Sequence, residues 1–287
     1  MAIPVRTSIH PAAWIPRWNN ANAPVALGHA ERLGFDHVVI PLRRFEDIDP
    51  PFIARAFEQF GLTPVNAAGQ TPDADVSSAD AGVRTRGLER LRTAVRLARD
   101  MGSRHVGGVL YSALRKYEHA ATPDNLRYAA AAISLIGEEA RVAGVRIALE
   151  IVNRYETNLL NTVAQAIDFL AAVDCDNVWL HLDTFHMNIE EADMLEAIRT
   201  ALPRLAYFEL DQNHRGMMAP GLIDMAPLLT ECARLGFGGI VGVEAFSRSG
   251  LAGDHADALA IWRDQFDDGD ALALQSLTLV RRAFESN

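Results

Sequence analysis

The sequence predicts an α/β protein folded as a single (β/α)8 barrel over residues 1–287. Short runs rich in β-branched residues alternate eight times with longer stretches of helical periodicity. No Pro-, Gly- or Ser-rich linker divides the chain into two parts. An open doubly wound sheet is the alternative, but no Gly-x-Gly-x-x-Gly follows the first predicted strand, which favours the barrel.

Each element follows from its own local pattern. Strands are predicted near residues 5–10, 36–41, 62–67, 104–110, 145–150, 177–183, 204–210 and 239–245. Helices are predicted near residues 22–33, 50–60, 80–101, 124–143, 162–173, 190–201, 225–235 and 255–284. Glycines stand where several helices should end, at positions 34, 61, 102, 144 and 236.

Composition excludes several classes of function. The formal net charge is −10, from 27 basic and 37 acidic residues without a basic tract, which argues against nucleic acid or an anionic membrane as partner. No apolar run approaches the roughly 18 residues of a membrane span, and the N-terminus lacks the pattern of a signal peptide. The two cysteines, Cys175 and Cys232, have no metal or redox spacing, so we expect a cytoplasmic protein.

Acidic residues end the last four predicted strands. They are Glu150, Asp183, Glu209 and Glu244. Because active sites of such barrels lie at the carboxyl ends of the strands, these side chains are candidate functional groups. A carboxylate on the inward side of a strand must be paired, hydrogen-bonded or bound to a metal. The alternative is that each one pairs with a nearby Arg or caps the following helix.

Four segments carry a resemblance to a known family. They span residues 148–156, 182–191, 213–215 and 243–246, and a weaker match extends over nearly the whole chain. In these segments the chain resembles the ketose 3-epimerases of the D-tagatose/D-psicose 3-epimerase type, members of the xylose-isomerase-like barrel superfamily. The resemblance implies a metal-dependent isomerase that transfers a proton at C3 of a ketose through a metal-stabilised enediolate.

The resemblance also implies roles for individual residues. Glu150 and Glu244 match residues that are both metal ligands and the acid/base pair, and Asp183 matches a third metal ligand. Substrate-side positions of the family are matched by His186, Arg215 and Glu156. Trp14 follows the first strand, where either an aromatic wall for a sugar ring or ordinary core packing is expected.

Glu209 departs from the family pattern, because the usual fourth ligand at this position is a His. We expect Glu209 to be a metal ligand, since inward alternation places it with Leu205 and Tyr207 on one face of the strand. The alternative is an ion pair with Arg215. A ring of oxygen donors predicts Mn²⁺ or Mg²⁺, with Co²⁺ as a further candidate.

Other readings of the sequence remain open. The same residues suit a related metal-dependent isomerase or lyase acting on a keto sugar or keto-glycoside, and a non-catalytic sugar-binding barrel is a third candidate. An endonuclease-like phosphodiesterase would need more His ligands and a basic face. The expected partner is a small-molecule sugar, and the resemblance implies a homo-oligomer, either a dimer or a tetramer.

Overall fold

The strands of the computed structural model close into a parallel barrel. The structure describes residues 5–285, and within them β1 to β8 follow one another around the ring, with β1 paired to β8. The strands are β1 (Arg6–Ile9), β2 (His37–Leu42), β3 (Thr63–Ala68), β4 (His105–Gly108), β5 (Arg146–Ile151), β6 (Val178–Asp183), β7 (Leu205–Leu210) and β8 (Ile240–Val243). The predicted (β/α)8 fold is confirmed.

Helices follow the strands and cover the outside of the barrel. They are α1 (Ala23–Leu33), α2 (Pro50–Gln59), α3 (Ala81–Asp100), α4 (Pro123–Val142), α5 (Val163–Ala171), α6 (Thr184–Glu190), α7 (Met194–Ala201), α8 (Met225–Arg234), α9 (Gly253–Ala258) and α10 (Gly269–Glu285). The five glycines predicted to end helices all have positive φ, between 64° and 88°. None of the helices described combines the length and apolar character that a membrane span requires.

The structure departs from the prediction at two helices. The helix predicted at 190–201 is α7, which begins at Met194 because the Asp193 carboxylate caps it by accepting from the backbone N–H groups of Leu195 and Glu196. A separate helix that was not predicted, α6, precedes it. The helix predicted at 255–284 is α9 and α10. Ala260 has φ 55° after α9, and Asp268 accepts the first N–H groups of α10.

The main apolar core lies between the strands and the helices. Leu27 of α1, Ile53 of α2 and Ile133 of α4 are fully buried there. A smaller apolar cluster inside the barrel includes Val39 and Tyr207. Since successive side chains of a strand point to opposite faces, each strand contributes to both regions. The barrel interior is therefore packed below the end where the functional groups lie.

A separate apolar cluster fixes the segment that follows β8. Phe246, Leu251, Ala256 and Ile261 pack together with Ala12, which follows β1. The backbone N–H of Ala252 also donates to the carbonyl of Pro16. Burial of these side chains anchors α9 beside the mouth of the barrel.

Candidate metal centre and active site

The four predicted carboxylates converge at the C-terminal end of the barrel. Asp183 and Glu209 are direct partners in the pairing of β6 with β7. Oxygens of Glu150 and Asp183, of Asp183 and Glu244, of Glu244 and Glu209, and of Glu209 and Glu150 each lie within 4.8 Å of one another. The carboxylates therefore form a closed ring, as expected when adjacent strands end at the same level.

Asp183 has one carboxylate oxygen that is satisfied and one that is not. Oδ1 accepts from the backbone N–H groups of Phe185 at 2.7 Å and His186 at 3.3 Å, so Asp183 ends β6 and caps α6 at once. Oδ2 is buried without a hydrogen-bond partner among residues 5–285. Burial raises the pKa of Asp183 to about 6, against the opposing charges of His186 and Arg215. An unpaired, buried carboxylate oxygen in a ring of carboxylates fits a divalent cation.

Glu209 lies between two imidazoles. Its Oε1 is 3.2 Å from His10 Nε2 and accepts from the Tyr207 hydroxyl at 3.4 Å, while its Oε2 is 3.0 Å from His181 Nε2. Burial would raise the pKa of Glu209, but His10 and His181 outweigh burial and lower it. Within the described chain Glu209 forms no ion pair with Arg215, so that alternative is not what the structure shows. The Glu209 carboxylate instead contacts the rings of His10 and His181.

Arg215 is occupied by two other carboxylates. Its Nε donates to Asp211 Oδ2 at 2.7 Å, and its Nη2 contacts Glu244 Oε2. Arg215 also has φ 58°, in the left-handed region that a non-glycine residue adopts only when its surroundings hold it there. The other oxygen of Glu244 is 3.2 Å from His10 Nδ1. Arg215 and His10 together fix the orientation of Glu244.

His186 presents one nitrogen toward Glu150. Its Nδ1 accepts from the backbone N–H of Asn153 at 3.2 Å, and its Nε2 is 3.6 Å from Glu150 Oε1. Burial lowers the pKa of His186, but Asp183 and Glu150 outweigh it and raise the pKa to about 9. A pKa of about 9 would leave the ring doubly protonated at neutral pH, but its Nδ1–H would then point at the backbone N–H of Asn153. On this hydrogen-bond geometry we assign a neutral ring with the proton on Nε2. Such a ring can donate to a ligand oxygen.

A cavity of about 290 Å³ opens onto this ring. Five of the predicted site residues line it: Glu150, Glu156, His186, Arg215 and Glu244. The side chains of Glu150 and Glu244 are 17% and 11% exposed, whereas that of Glu209 is 2% exposed. Glu150 and Glu244 are thus the carboxylates of the ring that a ligand in the cavity can reach.

The structure does not bring Trp14 to this cavity. The Trp14 indole N–H donates to Asp270 at 2.9 Å, and the ring stacks on His29 with centroids 5.3 Å apart. Trp14 therefore connects α1 with α10 on the outside of the barrel. Trp18, four residues later, lines the cavity instead.

Two residues of the site were not predicted. His10 joins Glu209 to Glu244, and Asp211 pairs with Arg215 while its Oδ1 remains without a partner among the residues described. Strand alternation could have found both, because His10 ends the strand predicted at 5–10 and Asp211 comes one residue after the strand predicted at 204–210. That alternation places Asp211 on the same face as Glu209, and His10 immediately follows β1.

Comparison with known proteins decides the family. The family model described as "Xylose isomerase-like TIM barrel" matches residues 27–267. The chain belongs to this family. Among curated members, it is 36% identical to the L-ribulose 3-epimerase of Mesorhizobium japonicum, over 98% of this chain and 95% of that protein. It is 33% identical to the ketose 3-epimerase of Arthrobacter globiformis, over 96% of each chain.

Solved structures of the xylose isomerase-like family agree closely with this barrel. A structure of L-ribulose 3-epimerase superposes with a TM-score of 0.94 at 35% identity, covering 99% of this chain and 95% of that one. The D-allulose 3-epimerase of Methylomonas sp., in complex with D-allulose, superposes with a TM-score of 0.93 at 33% identity and covers 99% of each chain. The resemblance to ketose 3-epimerases is confirmed over the whole chain.

Proposed function

We propose that this protein is a divalent-metal-dependent ketose 3-epimerase. The observation that carries the proposal is the ring of four carboxylates, of which only Glu150 and Glu244 are open to the cavity. Glu150 lies in β5 and Glu244 directly follows β8, and β6 and β7 separate these two strands around the barrel. Two carboxylates that reach one ligand from different sides suit the exchange of a proton between the two faces of a carbon. The relatives named as 3-epimerases support the same reaction.

In the proposed reaction Glu150 and Glu244 exchange roles. The carboxylate of one removes the C3 proton of the ketose, and the carboxyl group of the other returns a proton to the opposite face. Arg215 and His10 hold Glu244 in position, and the Nε2–H of His186 is placed to donate to a sugar oxygen near Glu150. A divalent cation, when bound, supplies Lewis-acid stabilisation of the negative charge that develops next to the ketose carbonyl.

Glu150, Asp183, Glu209 and Glu244 are the residues that would hold this cation. Their donors are all oxygens, which favours Mn²⁺ or Mg²⁺ over softer ions. The free Oδ2 of Asp183 is the strongest structural support for a cation here. In line with the family resemblance and the two free thiols, we further propose that the enzyme works in the cytoplasm as a homo-oligomer.

The decisive experiment measures which carbon of a ketose takes up deuterium when the protein acts on it in heavy water. Epimerisation at C3 should place deuterium at C3 of both epimers, whereas an aldose–ketose isomerase would form an aldose and leave C3 unlabelled. Glu150→Gln and Glu244→Gln should each lose at least about a hundredfold in turnover while remaining folded. Glu138→Gln is the matched control, because Glu138 pairs with Arg141 on the surface of α4. Wild-type turnover in both site variants would refute the two-carboxylate scheme.

A further inference from the structure

A second cavity adjoins the cavity at the carboxylate ring. The adjoining cavity has a volume of about 300 Å³ and is lined on its outer side by residues of the loop after β2 and by α9. The two cavities share a wall formed by Arg17, Trp18, Pro41, Arg43 and His255. Arg17, Arg43 and His255 therefore face both cavities, and the far end of a ligand bound at the carboxylate ring can approach them from the first cavity.

Arg43 is the unusual member of the shared wall. It follows β2 directly, and its guanidinium forms no hydrogen bond or ion pair with any residue in the described range 5–285. Desolvation in the cavity wall lowers the pKa of Arg43, while the more distant charges of Asp254 and Glu156 oppose this effect. An Arg stays protonated in proteins, so Arg43 is a cation at the edge of the cavity with no carboxylate in direct contact within the described residues.

Two further guanidinium groups lie along the same cavity. Arg90 donates from Nε to the carbonyl of Gly69 at 2.7 Å and from Nη2 to the carbonyl of Arg43 at 3.1 Å. These bonds brace the backbone that carries Arg43 and leave the charge of Arg90 unpaired by any carboxylate in the described chain. Arg17 forms an ion pair with Asp254 at the start of α9. The apolar cluster after β8 holds α9 in this position. Because Arg17 is paired, Arg43 and Arg90 are the two guanidinium groups on this side of the first cavity that have no ion pair within residues 5–285, although the formal net charge of the whole chain is −10.

We propose that Arg43, with Arg17 and Arg90 beside it, forms a subsite for a phosphate ester at the end of the ketose remote from C3. The proposal rests on the function proposed above and specifies its substrate as a ketose phosphate. A phosphate monoester carries about −1.5 to −2 charge at pH 7 and offers three acceptor oxygens, so it can engage several guanidinium groups at once. A neutral sugar hydroxyl would leave the charge of Arg43 uncompensated.

The test compares a ketopentose with its 5-phosphate ester. Steady-state kinetics should give the wild type a higher kcat/KM for the ester, and Arg43→Gln should lower the ester-to-ketose ratio of kcat/KM by about 10- to 100-fold, mainly through KM. Arg96→Gln is the control: it removes one positive charge from the surface of α3, where Arg96 contacts only Thr93 within the described range, and should leave the ratio unchanged. Arg43→Lys, which keeps the charge without the planar fork, should recover part of the ratio and replaces Arg43→Gln if that variant does not fold.

Calorimetric titration separates this proposal from the proposed function, because it detects binding without turnover. The ketopentose 5-phosphate should bind the wild type more tightly than the ketopentose does, and Arg43→Gln should remove most of that difference. A wild type that binds and epimerises both compounds equally, or an Arg43 variant with an unchanged ratio, would overturn the phosphate subsite and leave the epimerase proposal intact. Absence of C3 deuterium exchange with either compound would instead refute the epimerase, and the titration would still decide the subsite.

Discussion

Replacement of Asp183 by Asn tests whether the carboxylate ring is built for a cation. Asp183 is fully buried, and its pKa is raised from 3.8 to about 6, mainly by burial. At about 1.36 kcal/mol per pKa unit, ionised Asp183 costs the metal-free fold about 3 kcal/mol. Asn removes the charge and still caps α6, since Asn and Asp are equally good N-caps. We expect metal-free Asp183→Asn to be more stable than the metal-free wild type at pH 8 by about 1–3 kcal/mol.

The sign of this effect depends on pH. Because the folded state binds the Asp183 proton more tightly than the unfolded state, the penalty is absent below about pH 3.8 and complete above about pH 6. The stability advantage of Asp183→Asn should therefore grow between these values and stay constant above pH 6. Saturating Mn²⁺ should reverse the order, since a cation at a hundred times its Kd adds about 2.7 kcal/mol to the wild type, and the variant has lost a ligand.

Thermal unfolding measured with and without chelator is the assay. For a chain of this size the expected advantage corresponds to an increase in Tm of about 2–6 °C. Asp193→Asn is the matched control, because Asp193 caps α7 through the same kind of backbone hydrogen bonds but lies exposed on the surface. It should show no dependence on metal. A metal-free Asp183→Asn that is less stable than the wild type at pH 8, or equal stabilisation of both by Mn²⁺, would refute the reasoning.

Two further changes probe Glu209 and the cysteines. The Glu209→His variant should still bind a divalent metal, but competition titrations should show a preference shifted toward Co²⁺ or Zn²⁺. It should also have a lower Tm, because His10 and His181 lose the carboxylate that both contact. An unchanged metal preference would mean that Glu209 is not a ligand. Burial raises the pKa of Cys232 to about 12, whereas Cys175 is partly exposed, so only Cys175 should react with a thiol reagent in the native protein at pH 8 and both should react after unfolding. Rapid native labelling of Cys232 would contradict its burial.

The barrel could be predicted from the sequence because its strands follow a local rule. Each strand is a short apolar run, and its position between two helices leaves little freedom in where it lies. Two helical features could not be predicted as easily. The short helix α6 depends on the cap that the buried Asp183 carboxylate provides. The break between α9 and α10 depends on the left-handed backbone of Ala260.

The convergence of the carboxylates was predictable for a similar reason, but their partners were not. Glu150 and Glu244 end parallel strands, and parallel strands of a barrel end at one face. Arg215 lies in a loop, where no periodicity indicates a direction, and its left-handed backbone turns the guanidinium to Glu244 rather than to Glu209. The same lack of periodicity after β1 explains why Trp14 was expected in the cavity that Trp18 lines.

The pairing of β1 with β8 makes the candidate site a product of ring closure. His10 follows the first strand and Glu244 follows the last, so their contact forms only after the first and last strands have met. Contacts between such distant segments require the largest loss of chain entropy in folding. A nascent chain that ends before β8 lacks Glu244 and therefore the His10–Glu244 contact, although the segments that carry Glu150, Asp183 and Glu209 are already present. Glu244 can therefore join the other three carboxylates only in a chain whose barrel has closed.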